Sequence, residues 1–326
     1  MLFVKLFASY KDLKSVGFII ASVLLTLVLG MQCANNKKTP VIDETPTRGN
    51  IRIMADESFQ PIIDAEIATF TTLYKYAHIT PAYLPEKDLI SAFLKDSVQV
   101  IATAWQPSEQ QKALLLNSQT VVRITAIAYD AIALVLNKEN KDSLFTYKNV
   151  NDLFIGKLTD WKEINSTSKL GKIVAVFDNE KSANIRYFKE EFNLGNQLPA
   201  NFYSVKSNNE VIDYVSKNKS AIGLVSVNWI CNKHDSTSRS FTDKIKIAAI
   251  SHRVLDPGTY SLPEQGSIYD KSYPFTRKVN MVSRESFSGL GSGFIIWCAA
   301  EQGQRIVLKS GLLPATMPIR MIQFKK

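Results

Sequence analysis

Ser58 and the triplet Ser182-Ala183-Asn184 could hold something small and charged. Each follows a short apolar run and precedes a stretch with helical spacing, which places it at the start of a helix. The first turn of a helix leaves backbone N–H groups unpaired and carries a partial positive charge, so an oxyanion docks there without a metal or a cofactor. Serine hydroxyls and the Asn184 amide would add donors. The same residues are also ordinary N-caps. Taken alone, this stretch leaves both readings open.

The elements that must position these loops follow from the pattern. Residues 173–177 (IVAVF) form a continuous β-branched and apolar run, as in a strand buried on both faces. From Ile185 the apolar positions Ile185, Phe188 and Phe192 share one helical face. The same device appears at 51–55 (IRIMA), Asp56-Glu57-Ser58-Phe59 and a helix over 61–74, with Pro61 in its first turn. Further strands are expected at 79–83 and 98–103, and helices at 88–95 and 107–116. This β-α-β-α-β-α order implies a doubly wound sheet with ligands at the strands' carboxyl ends, where Ser58 and Ala104-Trp105 fall. Residues 121–136 read as a strand crossing between lobes, the alternative being two strands of one sheet, with Tyr129 and Asp130 fixing the crossing. A second α/β unit follows, with a helix at 208–217 and a strand at 221–227. Strands at 246–250 and 276–282 are expected to rejoin the first lobe, and a helix over 294–308 to close the chain. Trp105 either walls the cleft or packs between lobes.

The N-terminus places Lys5, Lys11 and Lys14 before the apolar run 16–31, a secretory-signal pattern shorter than the roughly 20 residues that span a bilayer. Leu29-Gly30-Met31-Gln32-Cys33 resembles a bacterial lipoprotein cleavage box, which would lipidate Cys33; Gln32 departs from it, and an uncleaved anchor is the alternative. Residues 34–49 are polar and read as a flexible tether. The net charge of +9 is spread along the chain without an arginine-rich run. With export, that excludes nucleic acid as a partner and leaves attraction of small anions or an anionic membrane surface. Cys231 and Cys298 sit in apolar surroundings as small buried hydrophobes. His78, His234 and His252 are scattered, so neither a metal site nor a cofactor is expected.

The motifs TAIAYDAIALVLN (125–137), LFIGKLTDW (153–161), SAIGLVSV (220–227), SYPFTRKV (272–279) and GLGSGF…EQGQRIVLKSGLLPA (289–315) resemble, in order and spacing, the phosphate-type substrate-binding proteins of bacterial ABC importers. The resemblance implies an α/β protein of the periplasmic binding protein type II class, two α/β lobes joined by crossing strands, closing on a dehydrated oxyanion. Lobe I would comprise 50–128 and 240–326, and lobe II 129–239. It implies a monomer on the outer side of the membrane, held by its lipid anchor and partnered by an ABC permease. The ligand residues it points to are Ser58, Phe59, Ser182, Ala183 and Asn184.

The departures fall at the site. Where the family reads Arg-x-x-Gly-Ser-Gly-Thr, this chain has Asp178, Asn179, Glu180, Lys181, Ser182, Ala183 and Asn184; the family's Ser-Asp falls on Ala104-Trp105. Lys181 could restore the lost positive charge, whereas Arg186, within the helix, reads as a solvated surface residue. Asp178 reads as ordering its own loop. Ser292, between two glycines, reads as a cap or an anion donor. An alternative function is a degenerate binding-protein fold serving as an envelope sensor or interaction lipoprotein. An enzyme is disfavoured because no histidine lies beside these loops to activate a nucleophile. Glu57 and Asp178 could form a carboxylate pair across the cleft, the arrangement used for glycoside hydrolysis, but nothing in the sequence sets their separation.

Overall fold

The computed structural model describes residues 44–117, 119–195, 197–254 and 258–317. The expected signal, the Cys33 anchor and most of the tether lie outside them. Strand β1 (Gly49–Asp56) ends in four consecutive buried residues because it is sandwiched between parallel neighbours and covered on both faces. A one-turn helix, Glu57–Phe59, leads into α1 (Gln60–Leu73), β2 (Ala77–Leu84), α2 (Glu86–Leu94), β3 (Val100–Thr103) and α3 (Glu109–Asn117). Pro81 is tolerated in β2 because β2 is the edge of the sheet.

Strand β4 (Arg123–Asn137) is a single strand of 15 residues, which answers the question left open over 121–136. Next come β5 (Leu144–Phe145), α4 (Tyr147–Phe154), β6 (Val174–Phe177), α5 (Ala183–Glu191), β7 (Phe202–Ser204), α6 (Asn208–Lys217) and β8 (Ala221–Ser226). After these come α7 (Ser236–Thr242), β9 (Ile245–Ile247), β10 (Ala249–Ser251), β11 (Tyr260–Ser261), α8 (Gln265–Tyr269) and β12 (Thr276–Ser283). The chain closes with α9 (Leu290–Ala299), α10 (Glu301–Lys309) and β13 (Leu313–Pro314). The principal sheet has the order β2-β1-β3-β12-β4-β8-β6-β7, with β13 and β9 also pairing with β4. Strand β4 changes partner midway: Ala131 pairs with β12, and Ile132 with β8. It therefore belongs to both halves.

Each half has its own apolar core. In the first, alternate residues of β1 face opposite ways. Ile53 and Ala55 join Phe59, Phe70 and Phe294, while Met54 joins Leu89, Phe93, Trp105 and Val282 on the other face. The second core gathers Leu134, Trp161, Val176, Phe188 and Leu224. The structure differs from expectation at two elements. The run 246–250 does not rejoin the first half: β9 pairs with residues 135–137 of β4, β10 pairs with β5, and Ile245, Ala248 and Ile250 pack in the second core. The closing helix is two helices, broken at extended Ala300 (ψ 171°). Gln304 occupies the break, donating to the carbonyls of Cys298 (2.7 Å) and Ile127 (2.8 Å). Gly293 is fixed by close approach: a Cβ there would lie 1.9 Å from the Pro46 carbonyl oxygen.

Candidate functional site

Strand β1 runs parallel to β3, and β6 parallel to β8, and the carboxyl ends of β1, β6 and β8 deliver Asp56, Asp178 and Ser226. Beyond them come the turns carrying Ser58, Ser182 and Asn228. Arg277, near the start of β12, is the hub of this region. Its Nε donates to Asp130 Oδ2 at 2.9 Å, and its guanidinium lies over the Phe59 ring, 4.8 Å from the centroid. Asp130, fully buried in β4, also accepts from the Ser226 hydroxyl (2.9 Å to Oδ2) and the Asn228 amide N–H (3.4 Å). The Asn228 side chain donates to the Ser58 carbonyl at 3.0 Å, tying the second half to the first.

What marks this region as a site is its unmet hydrogen-bonding capacity. Buried polar groups are almost always paired. Here the Ser58 hydroxyl, Asp56 Oδ2, Asp178 Oδ1, both amide atoms of Asn184, Asn228 Oδ1 and Arg277 Nη1 are buried without a partner. Both amide atoms of Asn280, opposite Thr103 in the β3–β12 register, are in the same condition. Donors and acceptors from both halves thus await a polar occupant.

The electrostatics are acid-rich. Burial, reinforced by the charge of Glu86 and opposed by Arg277, pushes the Asp56 carboxyl up to about 7. Burial likewise raises Asp178, against the lowering influence of nearby Ser182, Asn184 and Arg277. Glu57 is raised by burial and then by the charge of Asp178, so the two face each other electrostatically.

Ser182 caps α5, its hydroxyl accepting from the Ile185 N–H at 3.4 Å, and Ala183 and Asn184 are wholly buried in its first turn. Ser58, Phe59 and Asn184 sit among the groups around Arg277. Lys181 has a half-exposed side chain that pairs with Asp88 of α2 at 2.9 Å, across the seam between halves. Trp105 takes the packing alternative. Its ring packs edge-on against Phe93 (6.3 Å) in the outer apolar cluster, which accounts for its burial without a ligand. Arg186 is not a solvated residue; it reaches across to buried Glu86 (Nη2 to Oε1 3.1 Å) and also holds Glu190. Asp178 faces inward with an unpartnered oxygen rather than merely ordering its loop. Ser292 is neither cap nor donor to an anion: its hydroxyl donates to Glu285 Oε2 at 2.7 Å. Cys231 and Cys298 are free thiols, as their apolar settings suggested. Sequence reasoning missed Arg277, Asn228 and Asn280. Arg277 stands beside exposed Lys278 in a strand that mixes polar and apolar residues, so no local signal set it apart.

Among the described residues no helix is long and apolar enough to cross a membrane, and no cluster of metal-ligating side chains occurs. The halves, the shared strand and the buried polar cluster define a two-lobed α/β binding protein of the periplasmic binding protein type of fold. A profile of the PBP superfamily domain matches residues 41–302, and the chain belongs to that superfamily. It is similar to the phosphate-binding protein PstS of Staphylococcus epidermidis, 27% identical over 148 residues, covering 44% of this chain and 45% of that one. To PstS of Staphylococcus aureus it is 27% identical over 172 residues, covering 52% and 48%. The chain thus spans about half the length of the curated relatives it matches. Among solved structures, one assigned as a phosphate ABC transporter substrate-binding protein from Clostridium perfringens, with bound phosphate, superposes with a TM-score of 0.69. It is 22% identical, covering 82% of this chain and all of that one. An ABC-type phosphate transport receptor from Vibrio cholerae gives 0.62 at 16% identity, with the same coverage. These two likenesses describe the fold.

Proposed function

We propose that this protein captures a small oxyanion, phosphate, in the crevice between its halves and delivers it to an ABC permease. On this reading it is held on the outer face of the membrane through lipidated Cys33. The observation that carries it is the set of unpartnered buried groups around Arg277, contributed by both halves at the carboxyl ends of their strands. The PstS likeness supports phosphate as the anion and a permease as the partner. The Ser58 hydroxyl, Arg277 Nη1 and the first turn of α5 supply donors, while the Asp56, Asp178 and Asn228 oxygens accept from a protonated oxyanion. Arg277 here takes the place of the arginine that Asp178 replaces. Titration of the purified full chain with phosphate by calorimetry tests this. Saturable binding, weakened at least tenfold in Ser58→Ala, supports it; no heat at any phosphate concentration overturns it.

A second reading, an envelope sensor or interaction protein that has lost tight binding, is favoured by one feature. The Arg186–Glu86 and Lys181–Asp88 pairs, with the Lys87 N–H donating to the Lys181 carbonyl at 3.1 Å, join the halves through protein contacts alone. Recovery of a bound envelope protein together with absence of any anion binding would favour this second reading. The domain division is likewise a proposal: the return to the first lobe falls at β12, and 129–275 form the second.

A further inference from the structure

The strand pair that carries Asp130 and Arg277 has a second face. Residues opposite each other in an antiparallel pair share a face, and the next residue along each strand turns to the other side. Asp130 stands opposite Arg277, and both belong to the polar cluster, so their neighbours Tyr129 and Thr276 turn away from it. There the two line a cavity of about 670 Å³, within the roughly 300–1,000 Å³ typical of small-molecule sites. It shares no lining residue with the unpartnered groups around Arg277. Both halves wall it, with Tyr187 of α5 and the stretch around Tyr269 and Lys271 on one side and β13 on the other.

The walls combine flat surfaces with positive charge. Two of the rings are pinned: the Tyr187 hydroxyl donates to the Pro274 carbonyl at 3.3 Å, and the Tyr273 hydroxyl to the Ile132 carbonyl at 2.8 Å. Half-buried Tyr129 lies in the same wall, Pro274 and Pro314 add flat hydrocarbon faces, and Tyr269 is exposed where the cavity meets solvent. Arg253 is matched already, pairing with Glu191 and lying 5.3 Å from the centre of the Tyr147 ring. Lys271 is exposed at the same mouth and pairs with no carboxylate among the described residues. No Asp or Glu lines the cavity. A ring therefore has planes to lie against, and a negative group on that ring has an uncommitted ammonium to meet. We propose that this cavity is a second ligand site, on the far face of the crossing strands, and that it takes an aromatic carboxylate. The ring lies between the tyrosine and proline faces, and the carboxylate reaches Lys271. An inorganic oxyanion brings no surface for these walls to cover, and an uncharged ring leaves the lysine unused.

The test is a saturation-transfer NMR titration of the full chain with indole-3-acetate, using indole and acetate as its separate halves. Indole-3-acetate is expected to bind saturably, with indole weaker by about fivefold or more and acetate weaker still. Lys271→Gln should weaken indole-3-acetate by a similar factor and leave indole unchanged, a split that general damage to the fold would not give. Ala315→Trp, which fills the cavity with a ring of the protein's own, should abolish binding of both. Lys271 is exposed, so its variant decides the matter alone if Ala315→Trp does not fold. Inorganic phosphate in excess, at constant ionic strength, should leave indole-3-acetate bound, because the crevice lies on the other face. The result therefore stands whether or not the crevice holds phosphate. Displacement by phosphate would put the aromatic acid in the crevice and overturn the proposal. So would indole binding as tightly as indole-3-acetate, affinity undiminished in Lys271→Gln, or no saturable binding by wild type.

Discussion

At Arg277 a single side chain joins strand pairing, charge balance and the crevice. It holds buried Asp130 while presenting Nη1 to the unpartnered groups. Arg277→Met should strand the Asp130 carboxylate and lower stability by about 3–5 kcal/mol, read as a fall in urea midpoint, while abolishing phosphate binding. Arg277→Lys keeps the charge but not the planar fork, and should lose most of the affinity with a smaller stability cost. Asp56 gives a pH prediction whose sign is fixed. Its folded carboxyl titrates near 7, above the 3.8 of an exposed aspartate, so the native state holds the extra proton in between. Stability should therefore be fully present below about 4 and decline as pH rises towards 7, a slope that Asp56→Asn should flatten in a melting-temperature series. The turns carrying Ser58 and Ser182 were legible from the sequence because each follows an apolar run and heads a 3.6-residue pattern, where a polar residue caps the helix. Arg277 was not: its partner Asp130 lies 147 positions away, and no local spacing records that meeting.

The elements obeyed local rules where burial was one-sided or complete. Helix α6 falls on 208–217 as expected, capped by Ser207, whose hydroxyl accepts from the Glu210 N–H at 3.3 Å. The failures came where tertiary contacts outweighed pattern. Residues 246–250 read as one strand returning to the first half, but β4 and β5 were available as partners in the second. The expected closing helix breaks at Ala300 because Gln304 and its two carbonyl partners occupy the junction. Between α1 and α9, Trp297 Nε1 donates to buried Glu66 at 3.1 Å, and burial pushes that carboxyl up to about 8. Glu66 is then neutral at pH 7, so Glu66→Gln should change stability by less than about 1 kcal/mol there. In wild type, stability should fall as pH climbs from about 4.5 through 8, and the glutamine variant should resist that fall in alkaline unfolding curves.

For the whole molecule, the two-lobed plan was legible because five motifs keep their order over most of the chain, and each α/β unit announces itself by strand–loop–helix succession. The contacts between lobes were not, since Arg186 and Glu86 stand 100 positions apart and each looks like a surface charge in isolation. They predict the resting shape. Arg186→Ala removes the arginine that spans the seam, so its ligand-free form should show a larger radius of gyration by X-ray scattering than wild type. An unchanged radius would mean that the seam is held by the Asn228–Ser58 and Lys87–Lys181 backbone contacts instead. The central claim is that facing turns from both halves grip one small oxyanion around Arg277. Its most direct test is a crystal structure of the protein grown with phosphate. The account predicts a single phosphate within hydrogen-bonding distance of Arg277 Nη1, the Ser58 hydroxyl and the first turn of α5, with Asp56 or Asp178 accepting from it. Phosphate bound elsewhere, with the Ser58, Asn184 and Arg277 atoms paired only to protein, would contradict it.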